Sequence, residues 1–214
     1  MPKRAIIFVN GDIPNLDAAR QLLRDDDFII AADGGTLHAL KLGLVPSVII
    51  GDMDSIGFIH RHMLSVQPIE FLEYPADKDE TDLELALSYA RERGFDEMLL
   101  IGALGGRLDQ TLGNLSLLSD SVWGGINVRM DDGVEQVFFA RDQAQIHGRL
   151  GEIISLIPWR GDATIARTEG LRWSLQNEKL FAHQTRGISN ELTAQTARVE
   201  IDEGLLLIIH TRSL

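Results

Sequence analysis

The sequence predicts an α/β protein in two parts: an N-terminal, mostly parallel α/β domain followed by a C-terminal antiparallel β-sandwich. Three observations predict it. Up to Gly125, β-prone apolar runs alternate with amphipathic helical stretches. Beyond Gly125, short strand-like runs follow one another between turn signals with no helical period. Charge divides the same way: residues 143–214 hold eight acidic and eight basic residues, so the whole net charge of −12 lies in residues 1–142. The boundary is placed at roughly 140, give or take 10 residues, giving domains 1–140 and 141–214.

The elements follow in order. Ala5–Val9 reads as a buried parallel strand, Leu16–Leu23 as an amphipathic helix and Phe28–Ala32 as a second strand. Thr36–Leu42 is a short helix ended by Gly43, and Val48–Ile50 the third strand. Ile59–Val66 is expected to be helical and Ile69–Leu72 extended. The strongest helix is Leu83–Arg93, opened by Thr81-Asp82, with Leu83, Leu87 and Ala90 on one face and Gly94 as its stop. Met98–Ile101 is the next strand, and a helix is expected at about 109–118. Alternation of this kind builds a parallel sheet covered on both faces. In the second part the expected strands are Val137–Ala140, Ile153–Ile157, Ala163–Ala166, Leu180–His183, Ala197–Ile201 and Leu205–His210. Asp132-Gly133, Arg160-Gly161-Asp162 and Glu203-Gly204 read as turns.

Composition removes several classes of function. The 214 residues contain no cysteine, which excludes disulfides, thiolate metal sites and a cysteine nucleophile. The acidity disfavours nucleic acid and anionic membranes as partners, because phosphate backbones are bound by clustered Lys and Arg. No apolar run approaches the roughly 20 residues of a membrane helix, and Met1-Pro2-Lys3-Arg4 leads straight into a strand without a signal-peptide core. A cytoplasmic protein is expected.

The carboxylates recur in one kind of place, immediately after a strand. Asp33 precedes Gly34-Gly35; Asp52 and Asp54 sit in Gly51-Asp52-Met53-Asp54-Ser55; Asp77, Asp79, Glu80 and Asp82 precede the strongest helix; and Asp109 follows Gly105-Gly106-Arg107. In an open α/β sheet these loops face one crevice. So many close negative charges call for a hard cation, Mg²⁺ above all. The glycine pairs before helices and the planar guanidinium of Arg107 suit a phosphate ligand. Each motif alone also reads as a helix cap, a turn or a solvated loop, as Asp25-Asp26-Asp27 does. No Walker-type Gly-Lys-Ser/Thr segment and no Gly-x-Gly-x-x-Gly after the first strand occur.

The ordered set of motifs resembles the thiamine pyrophosphokinase family. The likeness rests on Ala-Asp-Gly-Gly (32–35), Gly-Asp-Met-Asp-Ser (51–55), Lys-Asp-Glu-Thr-Asp (78–82) and Gly-Gly-Arg-Leu-Asp-Gln (105–110) with Asn114, then Gly-Leu-Arg-Trp-Ser-Leu (170–175) and Arg-Gly-Ile-Ser-Asn-Glu (186–191). Gln110 stands where many bacterial members have His, which argues against an essential acid–base role there. The resemblance implies an α/β nucleotide-binding domain and a β-sandwich that binds thiamine. It implies transfer of a pyrophosphoryl group from ATP to the hydroxyethyl oxygen of thiamine, giving thiamine diphosphate and AMP. It also implies Mg²⁺ and a homodimer with its thiamine site shared between subunits.

By the same resemblance Asp52, Asp54 and Asp82 are the metal ligands, with Asp79 behind them. Asp33, Gly34, Gly35, Gly105 and Gly106 fall on the ATP side, and Arg107 clamps phosphate. Asp109 either holds metal or orients the thiamine hydroxyl, with Gln110 beside it. Lys78 either contacts phosphate or balances the acidic loop, and Thr81 either contacts phosphate or caps the helix. Trp173 either stacks on the thiamine cation or fills the sandwich core, given the Leu171, Trp173, Leu175 alternation. Ser189 and Asn190 either bind the pyrimidine or form a turn. The acidic loops alone would equally serve a transferase acting on another small alcohol such as a pterin, or a non-catalytic nucleotide or thiamine sensor. Trp173 with Ser189-Asn190 favours thiamine, and the full carboxylate set favours turnover.

Overall fold

The computed structural model describes residues 3–57, 62, 64 and 66–213. The chain divides into two compact units, one ending at Gly133 and one beginning at Val134. No helix among the described residues is long and apolar enough to cross a membrane.

In the first unit, strands β1 (Arg4–Phe8), β2 (Phe28–Ala32), β3 (Val48–Gly51), β4 (Glu70–Glu73), β5 (Glu97–Ile101) and β6 (Asn127–Asp131) form a parallel sheet in the order β6-β5-β1-β2-β3-β4. β1 is buried along its whole length, as a central parallel strand must be. Strand order reverses at β1, with β2 on one side and β5 on the other. The crevice outside the carboxyl ends of β1 and β5 is therefore the expected ligand position.

The helices are α1 (Leu16–Arg20), α2 (Gly35–Lys41), α3 (Asp82–Glu92) and α4 (Leu108–Leu118). Ala19 of α1 and Ala39 of α2 pack with Ile6, Phe8 and Ile29, while α3 packs against β1, β2 and β3. α3 buries Leu83, Ala86, Leu87 and Ala90, the stripe read from the sequence. α1 stops three residues short of the expected Leu23. There the Arg4 guanidinium takes the Leu22 carbonyl at 2.6 Å, and the Arg24 N–H donates to Asp27 Oδ2 at 2.7 Å, so the chain turns. The expected helix Ile59–Val66 falls largely outside the described residues.

Asp27 is not solvated surface. Its side chain is 2% exposed and lies 3.3 Å from Arg4 Nε, so one member of the Asp25-Asp26-Asp27 run is a buried ion-pair partner.

The second unit is antiparallel: β7 (Glu135–Ala140), β8 (Gln143–His147), β9 (Ile153–Glu169), β10 (Gln176–Leu180), β11 (Asn190–Glu191) and β12 (Thr196–Thr211). Two pairs of expected strands are each one long strand: β9 joins Ile153–Ile157 to Ala163–Ala166, and β12 joins Ala197–Ile201 to Leu205–His210. The supposed turns at Arg160-Gly161-Asp162 and Glu203-Gly204 are irregularities in the β9–β12 ladder, whose register shifts between Glu200 and Leu205. A Cβ on Gly204 would stand 2.6 Å from the Asp162 carbonyl oxygen, so glycine here serves close strand crossing rather than reversal. Residues from both ends of β9, Ile154 and Leu156 with Ala163 and Ile165, share one apolar core with Ile146, Val199 and Ile208.

The strand expected at Leu180–His183 lies earlier, at Gln176–Leu180; a turn from Phe181 to Gln184 follows it, closed at 3.0 Å. β6 and β8 were not expected from the sequence. β8 nevertheless shows period-two burial, Ala144 and Ile146 inward against Gln143, Gln145 and His147 outward.

Candidate functional site

Five strand-end segments of the first unit converge on a cleft of about 670 Å³. Its walls include Asn10, Gly11 and Asp12 after β1, Asp33 after β2, Asp52 after β3, Lys78 to Leu83 entering α3 (Asp79 apart), and Gly102 to Arg107 (Leu104 apart) after β5.

Asp33, Asp52 and Asp54 each offer a carboxylate oxygen within 4.8 Å of the others. The backbone produces this convergence. Met53 adopts a left-handed φ of 64° and buries its side chain with Ala31, Ile49 and Ile56, which leaves Asp52 and Asp54 outside the core on either side of it. Asp33 is also left-handed, at φ 40°, a conformation that Asp tolerates better than most residues. Strain of this kind is stored where geometry matters. Asp33 is 8% exposed, and its Oδ1 has no hydrogen-bond partner among the described residues. Burial pushes its pKa up; bonds from Ser55 and Gly34 counter this only partly, and Asp82 and Asp52 add to the rise.

Asp82 stands next to this group rather than within its span. Lys78 Nζ lies 2.9 Å from Asp82 Oδ1 and also donates to the Pro75 carbonyl at 3.2 Å, so the lysine counters the acidic loop from inside the cleft. Thr81 is the N-cap of α3, its hydroxyl accepting from the Glu84 N–H at 3.2 Å. Asp79 is exposed and does not line the cleft.

Arg107 and Asp109 form an exposed two-pronged pair, Nε to Oδ1 at 3.1 Å and Nη2 to Oδ2 at 2.5 Å. The bond from Arg107 holds the Asp109 carboxyl below the usual range. Gln110 lines the cleft. Asn114, buried, donates to the Ala103 carbonyl at 2.9 Å and so braces the loop after β5.

Gly105 and Gly106 have positive φ and line the cleft. Gly34 and Gly35 do not line it. A Cβ on Gly35 would stand 2.1 Å from the Phe8 carbonyl oxygen and one on Gly34 2.5 Å from the Asn10 side chain, so their smallness serves packing against β1 and its loop. Asn10, Gly11 and Asp12 were missed by the sequence reading, although they follow β1 as the other acidic loops follow their strands.

The second unit holds a separate groove of about 200 Å³ that brings Trp173, Ser189 and Asn190 together with Leu175, Arg186 and Ile188. Trp173 is 44% exposed while Leu171 and Leu175 are buried, so it is not a core tryptophan. The Arg172 guanidinium lies 4.8 Å from its ring centroid. Asn190 is buried, and its side chain clamps the main chain of Trp173: Oδ1 accepts from the Trp173 N–H at 3.0 Å and Nδ2 donates to the Trp173 carbonyl at 2.7 Å. Asn190 thus acts as a brace for the groove. Ser189, left-handed at φ 58°, donates its N–H to Ser155 Oγ at 3.1 Å.

The first unit belongs to the class of open α/β sheets that place a ligand cleft at the point where strand order reverses. Its cleft brings together a carboxylate group, the Lys78 ammonium and the Arg107 guanidinium. Comparison with known proteins makes the class particular. The family model "Thiamin pyrophosphokinase, catalytic domain" matches residues 19–130, and "Thiamin pyrophosphokinase, vitamin B1 binding domain" matches residues 141–206. Thiamine pyrophosphokinase of Bacillus subtilis (strain 168) is 32% identical over 184 residues, covering 85% of this chain and 86% of that protein. A crystal structure of thiamine pyrophosphokinase from Bacillus subtilis superposes with a TM-score of 0.88 at 28% identity, covering 99% of this chain and 100% of that one. One of thiamin pyrophosphokinase from Geobacillus thermodenitrificans gives 0.85 at 25% identity, with 98% of each chain covered. The chain belongs to the thiamine pyrophosphokinase family.

Proposed function

We propose that the protein transfers the pyrophosphoryl group of ATP to the hydroxyethyl oxygen of thiamine, releasing thiamine diphosphate and AMP. The observation that carries this reading, within this family, is the Asp33–Asp52–Asp54 group beside a cleft that also presents Lys78 and Arg107. Three clustered hard-oxygen donors, one with a buried and unpartnered oxygen, fit Mg²⁺. In the proposal Asp52 and Asp54 hold the ion with Asp33, and Asp82 stands ready beside them. When bound, Mg²⁺ supplies positive charge against the β- and γ-phosphate oxygens.

The chain's own groups do the rest of the work. Lys78 and Arg107 neutralise phosphate charge, and the positive-φ turn at Gly105-Gly106 lets the polyphosphate approach the backbone. Asp109, paired with Arg107 at rest, orients the incoming hydroxyl once the guanidinium turns to phosphate. The thiamine oxygen forms its bond to the β-phosphorus, the bond from that phosphorus to the α,β-bridging oxygen breaks, and AMP leaves. The exposed ring of Trp173 offers a π-face to the thiazolium cation. The proposed working form is a cytoplasmic homodimer; exposed Leu108 and Leu112, one turn apart on α4, give it apolar surface to bury. Light scattering and cell fractionation test those two points.

Incubation with ATP, Mg²⁺ and thiamine should yield AMP and thiamine diphosphate in equal amounts. Release of ADP, or no thiamine-dependent AMP, would sink the reading. Asp54→Asn should remain folded and lose activity that excess Mg²⁺ does not fully restore; wild-type turnover in that variant would overturn the metal assignment.

A further inference from the structure

His38 lies on α2, outside every motif that carries the family likeness, yet it reaches the cleft wall. Its Nε2 stands 2.8 Å from the carbonyl oxygen of Gly11. A carbonyl only accepts, so Nε2 carries the proton of this bond. Nδ1 is buried with no partner among the described residues. Burial pushes the imidazole pKa down; the Gly11 bond and Asp12 oppose this and Lys41 adds to it.

Gly11 is fixed from its other side as well. Its N–H donates to the Gly102 carbonyl at 2.7 Å, and a Cβ there would stand 2.5 Å from that same oxygen. Both peptide groups flanking this residue are therefore committed, one to the loop after β5 and the other to α2. The Asn10 side chain is pressed against Gly34, just before α2 begins. α2 thus ties two walls together: Asp33 precedes its first turn, and His38 holds the Asn10–Asp12 wall one turn further on.

We propose that His38 is a positioning residue: its Nε2–H to Gly11 bond holds the Asn10–Asp12 loop against the Gly102–Gly106 loop and thereby sets the affinity of the cleft for its polyphosphate substrate. The inference rests on the proposed function for the identity of that substrate, ATP with Mg²⁺.

The test compares His38→Leu, which fills the space without a donor, with His38→Gln, whose amide can donate to the same carbonyl. Calorimetric titration with ATP and Mg²⁺ is run without thiamine, alongside steady-state kinetics and thermal melts. His38→Leu should raise the ATP Kd and KM about tenfold, the size of one lost hydrogen bond, with kcat and the thiamine KM within about twofold. His38→Gln should recover most of the ATP affinity. Wild-type ATP affinity in His38→Leu, or equal impairment in both variants, would overturn the proposal. If His38→Leu does not fold, His38→Asn, polar but too short to reach Gly11, takes its place: weakened ATP binding supports the proposal and unchanged binding overturns it. Should the wild-type protein bind ATP yet make no thiamine diphosphate, the functional reading falls while the titrations still decide the role of His38.

Discussion

Lys78 Nζ stands 2.9 Å from Asp82 Oδ1, one helical turn along the chain and inside the same cleft. The ammonium sits against one of the carboxylates gathered around Asp33. The acidic loop therefore carries an internal counter-ion.

Lys78→Gln separates the two effects of that lysine. With the competing ammonium gone, Mg²⁺ binding to the protein alone should tighten by a few-fold in calorimetry. The catalytic efficiency toward ATP should fall by roughly tenfold, because a charge facing the phosphates is lost. A variant with weaker Mg²⁺ binding and unchanged efficiency would show that Lys78 serves the loop alone.

How far the sequence reached can be judged at particular residues. The alternation of Ala5–Val9, Phe28–Ala32 and Val48–Ile50 with helical stretches was legible because buried parallel strands are continuous apolar runs. That Asp33, Asp52, Glu80 and Asp82 share one cleft was legible because topology sends strand-end loops to one edge. Bulges were not: Gly161 and Gly204 carry the same local signal as turns, and only the crossing partner strand distinguishes them. The Leu171, Trp173, Leu175 alternation left Trp173 open between core and groove, because the chain around it is irregular and period two does not apply. Asp27 looked solvated because its partner, Arg4, is distant in sequence. Grouping Asp33 rather than Asp82 with Asp52 and Asp54 depends on two left-handed residues that composition does not announce.

Glu152 and His210 give the second unit a pH dependence. Their side chains meet at 2.8 Å, both almost fully buried. Burial pushes the Glu152 carboxyl up, but the Arg149 N–H, the bond and charge of His210, and the Ser213 N–H outweigh it, leaving the pKa below its ordinary 4.5. A carboxylate with a depressed folded pKa adds stability that is present above the unfolded value and lost as pH falls through the folded one. Thermal stability should therefore decline below about pH 4.5. Glu152→Gln should lower stability at neutral pH by about 2 kcal/mol, as disrupting a buried hydrogen-bond network does, and flatten that decline. An unchanged pH profile in the variant would remove Glu152 from the account.

Trp173→Ala tests the groove of the second unit. The ring is 44% exposed, so its loss should leave the melting temperature within a few degrees. The thiamine KM should rise about tenfold, consistent with a cation–π contact of 1–2 kcal/mol, and the ATP KM should not move. Trp173→Phe should lie between the two. Equal changes in both Michaelis constants would point to a structural role.

Arg107 and Asp109 supply the sharpest separation of stability from chemistry. Their pair is bidentate but largely exposed, with side chains 73% and 65% accessible. Exposed ion pairs contribute little to folding, so Arg107→Lys and Arg107→Ala should melt close to the wild type. Catalysis should respond differently, because the planar fork can turn from a carboxylate to phosphate oxygens and a lysine cannot reproduce its geometry. Losing one preorganised charge-stabilising donor costs roughly 10²-fold in turnover, and Arg107→Ala should show a loss of that order. Arg107→Lys should recover only a small part of it. If the alanine variant kept wild-type turnover, the arginine would belong to the surface rather than to the reaction.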